Sequence, residues 1–150
     1  MLSTGIDVIE IARVERAVDR HGQRFLERIY TPLEVAVCRG RTGELAAHFA
    51  AKEAVSKALG VGIFSREGVG WRDVEVLPDG RGKPLVYLYG KAKARAEELR
   101  LEEFALSLTH DGGLAVAFVV AQGPGDGEEL DPVAWRARLE AWVAAREGSR

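Results

Sequence analysis

Residues 48–60 read HFAAKEAVSKALG, and this stretch decides the fold of the chain. Wound at about 3.6 residues per turn, it predicts a helix with Glu53 on one face and Lys57 one turn further on. Small alanines share the face of Glu53, whereas larger apolar residues form a stripe on the opposite side. We therefore expect one side to pack and the other to stay open around the carboxylate. The alanines are Ala46, Ala50 and Ala54, and the stripe is Leu45, Phe49, Val55 and Leu59.

The same helix carries signals at both ends. Thr42 is placed to cap its first turn, and Gly60 is placed to end it in a left-handed conformation. Residues 60–70 then read GVGIFSREGVG, which predicts a loop where Gly60 and Gly62 let backbone amides approach a phosphate. The glycine spacing matches neither a Walker motif nor a dinucleotide-binding fingerprint, so neither site is predicted.

Composition restricts the class of protein. The 150 residues are enough for one globular domain, and 47% hydrophobic with 29% charged residues is typical of one. A net charge of −2 provides no overall positive field for nucleic acid. The lone Cys38 has no intrachain disulfide partner, the first residues show no signal-peptide pattern, and no apolar run approaches the roughly 20 residues that span a bilayer. We expect a cytoplasmic protein without nucleic-acid or membrane partners.

Around the central helix, the chain alternates between strand and helix patterns. Residues 4–9 predict a strand in which Asp7 faces away from Ile6 and Val8. Thr31 followed by Pro32 predicts a capped helix start. Further patterns predict a helix over 10–20, a hairpin of strands over 71–77 and 84–89, a helix from 90, a strand over 104–110 and a central, well-covered strand over 114–121.

The C-terminal part differs in composition from the rest. We divide the chain into a domain over 1–121, a linker over 122–131 and a helical extension over 132–150. The linker is acidic and glycine-rich, and Pro132 is placed to start the last helix. Its apolar stripe must be covered either by its own domain or by a second subunit. The stripe consists of Trp135, Leu139, Trp142 and Val143.

Arginines form a stripe in the first helical region, and we call it the arginine ridge. Helical spacing gathers three of them on one face, and two more follow after Gly22. A solvated face partly neutralised by neighbouring acids is one interpretation, and a surface for an acidic partner is the other. The ridge consists of Arg13, Arg16, Arg20, Arg24 and Arg28.

Asp7 and Glu53 are the best pair of acids for a metal ion, because each emerges from regular structure. Two carboxylates and a phosphate suit magnesium, whereas the three histidines and the cysteine lack a zinc-ligand spacing. The alternative is that Glu53 and Lys57 form only an exposed helical ion pair. His110, at the end of a strand, is either a structural residue or a functional one.

Three motifs together resemble a known family. FAAKEAVSKALGVGI, GIDVIEIARV and SLTH occur in the order and at the separations of holo-acyl-carrier-protein synthases, the small type of 4'-phosphopantetheinyl transferase. The resemblance covers residues 5 to about 120. It implies an α+β fold with a long helix packed on an antiparallel sheet, followed here by an extra C-terminal helix. It also implies homotrimers with sites between subunits.

The resemblance implies transfer of the phosphopantetheine arm of coenzyme A to a serine of an apo acyl carrier protein, with release of adenosine 3',5'-bisphosphate. Magnesium is the family's cofactor. By motif position, Asp7 and Glu53 correspond to metal ligands, Glu53 and Lys57 to catalytic residues, and Lys57 and His110 to contacts with coenzyme A. Gly60, Gly62 and Lys83 complete the expected coenzyme contacts. Whether Glu53 only holds the metal or also accepts the serine proton stays open.

The family is basic at the positions of Arg13, Arg24 and Arg28, so the resemblance favours the arginine ridge as the contact for the acidic carrier protein. Arg16 and Arg20 join it by helical geometry alone. The chain departs from the family pattern at His48, where arginine is frequent, and in its extension over 122–150. Two alternatives stay open: a binding module for an acidic partner without catalysis, and a metal-dependent phosphohydrolase acting on coenzyme A.

Overall fold

The computed structural model describes residues 1–63, 66, 68–124 and 132–147. Antiparallel strands and helices occur in separate runs along the chain, as expected for an α+β protein. The strands are β1 Leu2–Glu10, β2 Val74–Pro78, β3 Pro84–Leu88, β4 Glu103–Asp111 and β5 Leu114–Gln122. The helices are α1 Ile11–His21, α2 Gln23–Ile29, α3 Pro32–Cys38, α4 Thr42–Ala58, α5 Gly90–Glu98 and α6 Pro132–Glu147, with a short 3₁₀ turn at Trp71–Asp73. No helix in the described part of the chain is both long and apolar enough to cross a membrane.

An antiparallel sheet of β1, β5 and β4 forms one layer, with β5 in the middle, and α4 packs across it. Asp7 pairs with Ala117 of β5, and Ala117 pairs in turn with Leu108 of β4. The predicted hairpin is the separate pair β2–β3. These features confirm the predicted fold class, with an antiparallel sheet, a long helix and an additional helix at the C-terminus.

Very small residues line the contact between α4 and the sheet. A Cβ atom added to Gly5 would lie 1.8 Å from the carbonyl oxygen of Ala54, so no side chain fits there. Small residues on the inward face of β5 allow the same close approach. The expectation of an open side around Glu53 was therefore wrong for Ala46, Ala50 and Ala54, which are fully buried. These alanines bring two backbones together instead of leaving room for a ligand.

Helix and strand ends follow the predicted signals with two differences. Thr31 caps α3 in a reciprocal arrangement with Glu34, and Gly60 has φ +67, both as predicted. Thr42 does not cap α4, because Arg41 occupies the N-cap position without a side-chain hydrogen bond. The segment predicted as a strand from residue 71 begins with the 3₁₀ turn, since the Asp73 carboxylate accepts a hydrogen bond from the Gly70 amide at 2.9 Å.

A buried ion pair ties α4 to its neighbours on the side away from the sheet. The Lys52 ammonium is fully buried and lies 2.8 Å from the Glu34 carboxylate on α3. It also donates to the carbonyl oxygens of Trp71, at 3.0 Å, and Val74. Burial lowers the pKa of Lys52, and the negative charge of Glu34 opposes this. The other oxygen of Glu34 accepts from the Val76 amide, so one carboxylate links α3, α4 and β2.

The outer face of the main sheet is apolar and uncovered. β5 is central but not well covered, because Phe118 is 44% exposed on the face opposite α4. Ile6 pairs with Phe118 and is 58% exposed, and Val8 beside it is 57% exposed. The sequence prediction for β5 was wrong on this point, because a continuous apolar run does not reveal whether a layer of structure covers each face.

We expect Lys52→Met to lower the free energy of unfolding by about 3–5 kcal/mol, because it leaves the Glu34 carboxylate buried without its counter-charge. Urea unfolding measured by circular dichroism gives this value. Lys93→Met is the matched control, since its pair with Glu97 is exposed and should contribute roughly 0–1 kcal/mol. Equal unfolding midpoints for the two variants would contradict a stabilising role for the buried pair.

Candidate active site

Asp7, Glu53 and Lys57 come together where β1 crosses the C-terminal half of α4. Asp7 shares the inward face of β1 with Gly5 and Ile9, both of which are buried, so its carboxylate points toward the helix. The Lys57 ammonium donates to Asp7 Oδ1 at 2.9 Å and to the Ile6 carbonyl oxygen at 2.9 Å. Lys57 is 50% exposed and Asp7 17%, so the ion pair forms one wall of an accessible site.

Glu53 precedes Lys57 by one helical turn and is partly buried. Burial raises the pKa of its carboxyl, the negative charge of Asp7 raises it further, and the positive charge of Lys57 opposes both. A carboxylate with a raised pKa accepts a proton more readily than a free one, and a cation beside two carboxylates relieves their repulsion. The cluster therefore has the electrostatics of a proton acceptor or of a cation site.

The donor set also limits the kind of cation. Within the described residues, no group of three or more His, Cys, Asp or Glu side chains is placed to hold a metal ion. Asp7 and Glu53 thus provide two carboxylates without a third protein ligand, which suits a cation that keeps several water molecules and uses oxygens of its substrate. A closed zinc site needs about four protein ligands and does not fit this arrangement.

Gly60 follows the cluster at the end of α4. Its amide donates to the Lys57 carbonyl oxygen at 3.0 Å, which places the turn one residue beyond the helix. Gly60 and Val61 border a cavity of about 380 Å³ whose other wall is α5. Gly62 is exposed next to it. Residues 64, 65 and 67 of the predicted glycine-rich loop lie outside the described residues.

His110 lies at the opposite end of α4. Its Nε2 atom is 3.7 Å from Glu44 Oε1, and its ring lies against Gly43 in the first turn of the helix. Nine residues of helix separate Glu44 from Glu53, a distance of about 14 Å at 1.5 Å per residue. A single chain therefore does not bring His110 together with Asp7, Glu53 and Lys57.

A second cavity, of about 470 Å³, lies beside His110. Lys83 lies between Gly82 and Pro84, which both line this cavity. In the same turn, the Asp79 carboxylate accepts hydrogen bonds from the backbone amides of Arg81 and Lys83. The cavity is lined by Val37, Arg41, Glu44, Ala47, His48, Val76, Pro78, Gly82, Pro84, Leu108, Thr109 and His110. Sequence analysis named Lys83 and His110 here and missed the charged wall residues Arg41 and Glu44, because segments far apart in sequence meet to form this wall.

His48 is buried in the wall of the same cavity. Nδ1 lies 2.9 Å from the Glu44 carbonyl oxygen and Nε2 lies 3.1 Å from the Val76 carbonyl oxygen, so both ring nitrogens contact the backbone. The Cys38 sulfur is 3.5 Å from Nδ1. These contacts fix the His48 side chain between α4 and β2.

The arginine ridge spans two helices. Gly22, with φ +55, separates α1 from α2 and turns the chain between them. All five side chains of the ridge are exposed, as both interpretations of the sequence required. Three of them lie on α1 and two on α2, two consecutive helices.

Comparisons with known proteins bear on this geometry. The 4'-phosphopantetheinyl transferase superfamily matches residues 3–119. The holo-acyl-carrier-protein synthase of Herpetosiphon aurantiacus is 48% identical over 130 residues, which cover 82% of this chain and 100% of the relative. All three quoted motifs fall inside the matched region, whereas α6 follows its end.

Solved structures agree with the sequence matches. The Helicobacter pylori holo-acyl-carrier-protein synthase in complex with coenzyme A has a TM-score of 0.72 at 36% identity, covering 79% of this chain and 99% of that one. The Bacillus anthracis enzyme in complex with CoA (3',5'-ADP) has a TM-score of 0.65 at 38% identity, covering 81% and 96%. Sequence and fold thus agree, and the chain belongs to the 4'-phosphopantetheinyl transferase superfamily as an enzyme of the holo-acyl-carrier-protein synthase type.

Proposed function

We propose that this transferase moves the 4'-phosphopantetheine group of coenzyme A to a serine of an apo acyl carrier protein and releases adenosine 3',5'-bisphosphate. The cluster of Asp7, Glu53 and Lys57 carries the proposal, because it combines a partly buried acid with an ammonium at an accessible surface. Coenzyme A in the solved relatives supports the donor, and the names of the relatives support the acceptor. The sequence prediction of a cytoplasmic enzyme goes with this role.

The proposed reaction assigns a separate task to each side chain. The serine Oγ bonds to the phosphorus that carries pantetheine, and the bond from that phosphorus to the bridging oxygen breaks. The electron pair of the broken bond leaves on adenosine 3',5'-bisphosphate. Glu53 accepts the serine proton, for which its raised pKa suits it. Lys57, oriented by Asp7, stabilises the negative charge that grows on the diphosphate.

Asp7 and Glu53 would hold a magnesium ion in the same proposal. Two carboxylates without a third protein ligand fit an ion that takes its remaining oxygens from water and phosphate. When bound, the ion supplies charge neutralisation on the diphosphate oxygens. Gly60, Gly62, Lys83 and His110 are proposed contacts to coenzyme A.

We further propose that the enzyme is a homotrimer with each active site shared between neighbouring subunits. Two observations support this. His110 and its cavity lie about 14 Å along α4 from Glu53, so one chain provides two separated halves. The outer face of the sheet is apolar and uncovered, as expected of a subunit contact. In a head-to-tail ring of three copies, every subunit contact pairs the Glu53 cluster of one chain with the His110 cavity of its neighbour.

The arginine ridge is proposed as the docking surface for the carrier protein. Its five exposed cations contrast with the net charge of −2 of the whole chain, so the positive field is local. Carrier proteins that are acidic around the modified serine would be steered to this surface and oriented there. Such an interaction affects encounter rates more than final affinity and weakens as salt rises.

We expect a mass increase on one serine when the chain, coenzyme A, magnesium and an apo carrier protein are mixed, as detected by mass spectrometry. Glu53→Gln should abolish the transfer while circular dichroism shows the fold retained, because glutamine neither accepts the proton nor carries the charge. Consumption of coenzyme A without carrier protein would indicate a phosphohydrolase instead. Carrier binding without any mass increase would indicate a binding module.

Shared sites make a prediction for mixed assemblies. Glu53→Gln and His110→Ala chains should each have little activity alone, since each lacks one half of the site. When the two chains are co-expressed in equal amounts, about one quarter of the sites in random trimers should receive both intact halves, and activity should return to that extent. Steady-state assays of the co-purified mixture measure the recovery. No recovery in mixed trimers would place the whole site within one chain.

Reversal of the ridge charges should affect only the carrier protein. Arg13→Glu with Arg24→Glu should raise KM for the carrier on the order of tenfold at low salt, because steering is lost, and leave KM for coenzyme A nearly unchanged. Steady-state kinetics at two salt concentrations test this. Lys93→Glu with Arg100→Glu changes the total charge equally outside the ridge and is the control. Unchanged carrier kinetics at low salt would remove the ridge from recognition.

A further inference from the structure

Helix α6 lies outside the region shared with the family and presents an unusual surface. The family match ends at residue 119, and the Helicobacter pylori enzyme is covered to 99% by only 79% of this chain. Every described side chain of α6 is exposed. Leu139, Trp142 and Val143 are each about half exposed on one stripe of the helix. A contiguous exposed apolar stripe is typical of an interaction surface.

The basic residues of α6 border this stripe. Arg136 is engaged by Glu140 at 2.9 Å, and the Arg146 guanidinium stacks 4.1 Å from the centre of the Trp142 ring. Arg138 lies four residues before Trp142, at the edge of the stripe, and is exposed. The surface therefore combines a large aromatic ring with positive charge beside it.

A groove of complementary character lies at the end of the main sheet. It encloses about 660 Å³, and its apolar wall consists of Met1, Leu2 and Pro124. Glu102 and Glu103 supply two negative charges at its border, against the single positive charge of the Met1 ammonium, which donates to the Gly123 carbonyl oxygen at 2.8 Å. No described side chain of α6 lines the groove. Leu2, which is 67% exposed, also begins the uncovered apolar face that continues to Ile6 and Val8.

We propose that α6 of one chain docks into the Met1–Glu102–Pro124 groove of a second copy of the same chain. The apolar stripe fills the groove, and Arg138 lies against the acidic border. The groove is continuous with the sheet face proposed above as the subunit contact, so this proposal rests on the proposed assembly. Residues 125–131 connect Pro124 at the groove to α6 of the same chain, and seven residues span at most about 24 Å. If each chain docks its α6 on the next copy, the assembly closes with cyclic symmetry.

Disulfide trapping between two full-length variants tests the docking. Arg138→Cys and Glu102→Cys chains, distinguished by tags, are co-expressed and mildly oxidised. The native Cys38 does not interfere, because it is buried and burial raises the pKa of its thiol to about 12. We expect a covalent dimer of the two different chains at least about tenfold more abundant than with Lys93→Cys in place of Glu102→Cys, since docking holds the thiols together. Trp142→Ser added to the Arg138→Cys chain should remove this excess.

The outcomes separate this proposal from the one on which it rests. A trimer by light scattering without the mixed disulfide would overturn the docking of α6 and leave the assembly intact. A monomer would overturn both. A chain carrying both cysteines that forms only an internal disulfide would show that α6 docks in its own groove, which also contradicts exchange between copies.

Discussion

The candidate active site depends on the close approach of α4 to β1 at Gly5. The absence of a side chain at this position lets the Ala54 carbonyl sit where a Cβ would otherwise be. Asp7 follows two residues later on the same face of the strand, and Glu53 and Lys57 flank Ala54 on the helix. The Lys57 ammonium bonds Asp7 at 2.9 Å across this close contact of the two backbones. Any larger residue at position 5 would clash with the Ala54 carbonyl and push the helix away from the strand.

The rotation of α4 about its own axis is set by a different interaction. Lys52 and Glu53 are adjacent and point about 100° apart on the helix. Because the Lys52 ammonium must reach Glu34 and two carbonyl oxygens in the interior, only one rotation of the helix satisfies it. That rotation turns Glu53 toward β1 and leaves it partly exposed. Leaving the buried Lys52 ammonium without its partners would cost free energy, so its position fixes the orientation of Glu53 without contacting it.

Local patterns were sufficient for much of this arrangement. Alternation in the first strand placed Asp7 on the face opposite Ile6 and Val8, and helical spacing placed Glu53 and Lys57 one turn apart. The structure adds that the face of Asp7 is the one that meets α4. The role of the alanines was not accessible in the same way, because a small residue is equally consistent with an open surface and with a close backbone contact. Whether these alanines are buried decides between the two, and their burial depends on residues distant in sequence, such as Gly5. The cavity wall around His48 was missed for the same reason.

The distribution of groups along α4 connects the fold to the proposed assembly. One end of the helix carries the carboxylate cluster and the other carries the His110 cavity, about 14 Å apart. A rigid helix cannot bring its own ends together, so a site that uses both must draw them from two copies. In the proposed trimer, the geometry of the subunit contact would control the distance between the reacting groups as directly as a side chain does. A helix that lies outside the family fold and acts at that contact would change the site without adding a residue to it.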